Sequence, residues 1–205
     1  MFSQTEVEPW GNITGIRIEG QLMEFETNIS VVQKDWSQIN ATGKERQRPK
    51  YSRKGDEPII SSNIDSLYFT ETVADAAKGN ANVNIQLTSK ADMPIEGVYY
   101  SFMLPYEDYA NGSVQLNNLK AVNLSLPPDA LNKYLETPAT SIQFIGKNRQ
   151  LKISFESATT IIVRNGDEKN KIFLQVFIPL QTGDLKIGQT VAKKFSIHAS
   201  GLIEK

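Results

Sequence analysis

Apolar and polar residues alternate with a period of two over most of this chain, and that pattern constrains the fold more than any other feature. In TGIRIEGQL it puts Ile16 and Ile18 on one face, and in MEFETNISVV it puts Met23, Phe25, Thr27, Ile29 and Val31 on one face. Successive side chains leave a pleated backbone in opposite directions, so a two-residue period marks a half-buried strand. The pattern recurs in LYFTETVAD (67–75) and in ANVNIQLTS (81–89). There Val83, Ile85 and Leu87 point one way and Asn82, Asn84 and Gln86 the other. It continues through VYYSFMLP (98–105), SIQFIG (141–146), LKISFES (151–157), TTIIVRN (159–165), KIFLQVFIPL (171–180) and TVAKKFSIHASG (190–201). The connectors carry turn chemistry: Gly146-Lys147-Asn148, Asn165-Gly166-Asp167 and Thr182-Gly183-Asp184. Asn-Gly between two β-rich runs is a strong hairpin signal, since both residues tolerate a positive φ. The single helical candidate is PPDALNKYLE (127–136), where Pro128 suits a first helical turn.

Many strands at close spacing without alternating helices mean antiparallel sheets. The predicted fold is all-β, a large antiparallel two-sheet β-sandwich of about twelve or more strands, bigger than the immunoglobulin type. At most one short helix is expected, near 128–135. With 205 residues, no internal repeat and no Pro- or Gly-rich linker, residues 1–205 read as one domain. The closing strand FSIHASGLIEK reads as a module boundary, with the natural protein expected to continue.

The formal charge is −1, so nothing global attracts nucleic acid or an acidic membrane. There are no cysteines, which excludes disulfides and Cys-based chemistry. No run of eighteen apolar residues exists, and no membrane insertion is expected. The opening Met-Phe-Ser-Gln-Thr-Glu lacks the basic and apolar regions of a signal peptide. A mature secreted domain begun at a new Met would look the same. Five Asn-x-Ser/Thr sequons occur, at Asn12, Asn28, Asn40, Asn111 and Asn123. In an Asn-, Ser- and Thr-rich β-protein they read as chance matches rather than glycan sites.

Catalytic constellations are sparse. His198 is the only histidine, with no Gly-x-Ser-x-Gly elbow and no second His for a metal site, so it reads as a structural or surface residue. Glu24 and Glu26 lie two apart and share one solvated face. A catalytic carboxylate pair needs two different environments that push the pKa values apart. NGDEKN (165–170) gathers oxygen donors but lacks the spaced ligand pattern of a calcium loop, and reads as a hairpin turn. No cofactor is expected; a structural calcium is the one ion considered.

The binding candidates cluster elsewhere. ATGKERQRPKYSRKG (41–55) carries Lys44, Arg46, Arg48, Lys50, Arg53 and Lys54 against Glu45 alone. In an extended segment the first four would line one face. Pro49 points to an edge strand, where charge discourages sheet-to-sheet aggregation. The alternative is a site for an anionic glycan, since Arg forks match carboxylate geometry. Nucleic acid is a weaker reading for a chain acidic on balance. Pyranose rings offer apolar C–H faces to aromatics, so Trp10, Trp36, Tyr51, Tyr68, Tyr99, Tyr100, Tyr106 and Tyr109 are candidate platforms, and each is equally a candidate core residue. Tyr99 and Tyr100 must point to opposite faces, so one of them is expected to be buried. Tyr106 and Tyr109 fall in the loop PYEDYANG. Trp10 reads as a cap on the sandwich or a contact to a partner domain. The candidate ligand-binding set is Trp36, Arg46, Arg48, Lys50 and Tyr51.

EPWGNITGIRIEGQLMEFETNISVV, followed by KDWSQINATGKERQRPKY, resembles the N-terminal region of large secreted glycoside hydrolases from polysaccharide-degrading gut Bacteroidota. The closing FSIHASGLIEK is similar to the end of that region. The resemblance implies a β-supersandwich domain ahead of a catalytic (β/α)8 barrel. The catalytic acid and nucleophile would then lie on the barrel, and no catalytic residue is carried over. The expectation is a non-catalytic accessory module, not an enzyme by itself, that packs on the catalytic domain of the same polypeptide and contacts poly- or oligosaccharide. Its location would be secreted, periplasmic or cell-surface. The alternative is a stand-alone extracellular interaction or adhesin-type β-sandwich protein.

Overall fold

The computed structural model describes residues 4–124, 133–166 and 172–201. The alternation is realised as strands almost throughout. The N-terminal strands are β1 (Thr5–Val7), β2 (Ile13–Ile18), β3 (Gln21–Glu24) and β4 (Glu26–Gln33). A 3-10 turn at Lys34–Trp36 leads to β5 (Ile39–Ala41), β6 (Lys50–Lys54), β7 (Glu57–Ile64), β8 (Leu67–Ala77) and β9 (Asn80–Ser89). Next come β10 (Ile95–Pro105), the one-turn helix α1 (Tyr106–Tyr109), β11 (Ser113–Leu116) and β12 (Val122–Asn123). The long strands β13 (Lys133–Ile145), β14 (Arg149–Asn165), β15 (Ile172–Thr182) and β16 (Thr190–Gly201) complete the chain. Among the described residues no helix is long and apolar enough to cross a membrane.

The chain is an antiparallel all-β sandwich. Its main path of hydrogen-bonded strands runs β5-β4-β10-β15-β14-β16-β9-β8-β7-β6, with β13, β11 and β12 joined beside β14. The two layers are therefore parts of one curled sheet. The 17-residue β14 serves both: its end pairs with β15 (Ile162↔Phe177, Asn165↔Leu174) and its start pairs with β16 (Arg149↔Gly201, Phe155↔Phe195). A strand this long twists and bends enough to turn from one layer into the other. The small sheet β1-β2-β3 caps one end. The backbone N–H groups of Gln4 and Thr5 donate to the Asp75 carboxylate at 2.7 and 3.1 Å, which ties that cap to β8.

Inward residues from both layers form one continuous apolar cluster: Ile29, Tyr100, Phe102 and Val176 from one, Phe69, Val83, Ile85 and Phe195 from the other. Tyr100 crosses the interior, its ring 4.8 Å from that of Phe195.

Three expectations change. A helix near 128–135 does not reach its C-terminal part, because residues 133 onward begin β13 in extended pairing with β14 (Lys133↔Arg164, Leu135↔Val163). The rest of that segment lies outside the described residues. PYEDYANG contains a turn of helix, not only loop, and Tyr109 within it is fully buried. Tyr99 and Tyr100 are both buried, at 5% and 0% exposure. The outer face over Tyr99 has its own cover, described below. Asn12 is also buried, holding Thr42 through a 2.8 Å bond from the Thr42 hydroxyl to its Oδ1, so the sequon there is structural in the folded chain.

Candidate functional site

The outward residues of β8, β9, β16 and β14 line up across strands. Pairing puts Ala74 beside Asn82, Asn82 beside Ser196, and Ser196 beside Ser154. One row along, Thr72 stands beside Asn84 and Asn84 beside Lys194. These side chains face away from Val83, Ile85 and Phe195, which alternate with them into the core. They bound a groove of about 560 Å³, with Glu57 and Glu156 also lining it and the partly buried Phe155 at its margin. Amides, hydroxyls, one ammonium and two carboxylates can hydrogen-bond a hydroxyl-rich ligand. The sequence showed this surface as the Asn82-Asn84-Gln86 face of one strand. It did not show that β14 and β16, which begin at Arg149 and Thr190 far along the chain, complete it.

His198 lies further along that face, opposite Lys152 and Asn80, and its Nδ1 is 2.8 Å from Asn80 Oδ1. It is an exposed residue, as the sequence suggested. Among the described residues no group of three or more His, Asp or Glu is placed to hold a metal ion. Most of NGDEKN lies outside the described residues.

A second cavity of about 550 Å³ opens between β3, β4 and α1, lined by Glu24, Glu26, Glu107, Asp108 and Arg149. Burial pushes the Asp108 carboxyl up, against the Arg149 guanidinium 2.9 Å away. Glu24 and Glu26 are both solvent-exposed and share this space.

A polar chain crosses the core. The Ile13 N–H donates to Thr27 Oγ1 at 2.9 Å, Thr27 and Tyr100 share a 2.9 Å bond, and the Tyr100 hydroxyl donates to Glu71 Oε1 at 2.8 Å. Burial raises the Glu71 pKa to about 8, against the Tyr100 hydrogen bond. A carboxyl kept neutral in this way needs no buried counter-ion. The turn Glu8-Pro9-Trp10-Gly11 lies over it, closed by Gly11 N–H to Glu8 C=O at 2.9 Å, with Trp10 half-buried.

The five residues singled out by the sequence do not converge. Trp36 lies on the outer face of the β4-β10-β15 layer. Its ring stands 5.3 Å from that of Tyr99 and edge-on to Phe177 at 5.1 Å, and the Arg164 guanidinium stacks on it at 5.1 Å. With Ile39 it covers Val32, Tyr99, Ile162 and Phe177, which form a small apolar cluster separate from the core. Arg46 lies in a turn and Arg48 in an irregular stretch; both are exposed. The segment is thus not one extended row of cations. Lys50 and Tyr51 open β6, which is exposed at every position and is the edge strand that Pro49 foretold. Among the described residues no hydrogen bond or ring contact joins Trp36 to the other four.

No protein-family model and no curated protein sequence matches the chain. Among solved structures it is similar to a GalM/aldose epimerase homologue from C. elegans, with a TM-score of 0.53 at 9% identity over 80% of this chain and 71% of that one. The chain has an aldose-epimerase-like β-sandwich fold. Weaker likenesses are to the Slr1438 protein from Synechocystis sp. PCC 6803 (TM-score 0.46, 10% identity, 97% of this chain and 92% of that one) and to galactose 1-epimerase from Lactobacillus acidophilus NCFM (0.43, 8%, 93% and 86%). The expectation that this chain is not an enzyme is corrected by the first likeness. It rested on missing motifs in the sequence, whereas the fold is shared with an aldose epimerase homologue. At 9% identity the likeness concerns the fold, and no side chain is carried over.

Proposed function

We propose that this chain is a carbohydrate-handling β-sandwich that lays a glycan across the polar outer face of β8, β9, β16 and β14. The observation that carries the reading is the pair of registered rows, Ala74-Asn82-Ser196-Ser154 and Thr72-Asn84-Lys194, over one groove. Such rows offer donors and acceptors at strand spacing, about 4.8 Å apart, to a ligand lying across the strands. The sugar-associated character of the fold supports the same reading. In the whole protein this sandwich would be one module of an exported polysaccharide-degrading glycoside hydrolase.

Affinity electrophoresis of the protein in gels cast with neutral and acidic polysaccharides tests the reading. Retardation by at least one glycan is expected. The double variant Asn84→Ala with Lys194→Ala should weaken it about tenfold or more, since each lost hydrogen bond is worth about 1 kcal/mol or somewhat more. Both side chains are exposed, so the melting temperature should stay within a few degrees. Unretarded migration in every gel overturns the proposal.

A further inference from the structure

The same sheet face continues beyond the groove. Four residues along β8 from Thr72, a distance of about 13 Å at strand rise, Tyr68 stands 36% exposed. Lys90 Nζ lies 5.6 Å over its ring. Lys50, on the edge strand β6, pairs with Ser61, and Ser61 pairs with Thr70. The Ser61 and Thr70 hydroxyls are 3.0 Å apart. The Ser61 and Thr70 hydroxyls beside it hold the Tyr68 phenol below its ordinary value against the opposing effect of burial, and the fields of Lys50 and Lys90 add less.

An ammonium group thus stands over an exposed phenol bordered by hydroxyls, and Lys50 lies on the same sheet face two strands away from Thr70. Lys34, Lys78 and Lys186 each pair with a carboxylate. Neither Lys50 nor Lys90 has a carboxylate within ion-pair distance among the described residues. The groove itself differs, since Glu57 and Glu156 there outnumber Lys194. An acidic group is repelled at the groove and attracted at Tyr68.

We propose that Tyr68, Lys50 and Lys90 form a subsite for the acidic substituent, carboxylate or sulfate ester, of a glycan whose neutral stretch lies in the groove. Tyr68 supplies an apolar face for a sugar ring, and the two lysines neutralise the substituent. Thr70 and Gln86, adjacent across β8 and β9, bridge the two regions. The inference deepens the proposed function and rests on it.

Titration calorimetry at low salt, with four probes, tests it: oligogalacturonate for carboxylate, chondroitin sulfate for sulfate ester, an uncharged galactan, and inorganic polyphosphate. One or both acidic glycans should bind at least tenfold more tightly than galactan, and which one does identifies the substituent. Lys50→Gln with Lys90→Gln should remove that advantage and flatten the salt dependence while leaving galactan binding unchanged. Bound acidic glycan should also raise the tyrosinate titration midpoint of the wild type, and Tyr68→Phe should abolish that change. Equal binding of acidic and neutral glycans overturns the inference, as does an unchanged advantage in the lysine variant. Polyphosphate bound as tightly as the acidic glycan also overturns it, marking a general polyanion field. If galactan binds and depends on Asn84 and Lys194 while the acidic advantage is absent, the subsite falls and the proposed function stands. If no glycan binds, both fall.

Discussion

Glu71 occupies the apolar register of β8, between Phe69 and Val73, at 1% exposure. Its folded pKa of about 8 lies above the ordinary 4.5. An acid shifted in this direction holds its proton more tightly in the folded state, so the stability it contributes is fully present below pH 4.5. It is lost as the pH rises to about 8, a decline on the order of 5 kcal/mol for a fully buried group. Urea denaturation between pH 5 and 9 should show wild-type stability falling across that window. Glu71→Gln should flatten the profile and be the more stable protein at pH 9. Gly11 is coupled to the same residue. It holds φ +104°, and a Cβ built there would come 2.6 Å from Glu71 Oε2. Gly11→Ala should therefore cost about 1–3 kcal/mol, read from the same denaturation curves.

Among elements, the edge strand β6 and the 3-10 turn carry opposite strategies. β6 buries no side chain, and Lys50, Arg53 and Lys54 keep it in water at the open end of the sheet. Arg53 Nε donates to the Tyr51 hydroxyl at 2.9 Å. Arg53→Val with Lys54→Val should promote edge-to-edge association, seen as a rise in light scattering on concentration without loss of β-sheet circular dichroism. The turn at Lys34–Trp36 instead covers an apolar patch. Asp35 and Trp36 both hold φ near +56°, a conformation costly for residues with a Cβ. The indole's contacts with Tyr99, Phe177 and Arg164 offset that cost. Trp36→Ala should lower stability by roughly 2–4 kcal/mol and expose Tyr99 and Phe177 to hydrophobic dye.

For the molecule as a whole, the order of pairing decides how folding completes. β9 and β14 are neighbours only through β16, the last strand of the path to form in sequence. The groove rows pass through β16 at Lys194 and Ser196. A chain truncated after Gln189 would leave two interior edges unpaired and lose Phe195 and Ile197 from the core. It should neither fold cooperatively nor bind glycan, as followed by thermal circular dichroism. Pairing across such sequence separations also places refolding in the milliseconds-to-seconds range or slower.

The period-two pattern by itself determined the fold class, the positions of most strands, the edge character after Pro49 and the exposed face that carries Asn82 and Asn84. These follow from local pleat geometry, which a sequence displays directly. Only the tertiary structure decided that the two layers are one sheet curled through β14, that Trp36 is a cover separated from the basic segment, and that Glu71 stands inside the core. It also brought Asn84 beside Lys194 and Lys50 beside Ser61. Those outcomes depend on which strands become neighbours and in what register, and a two-residue period says nothing about partners distant in the chain.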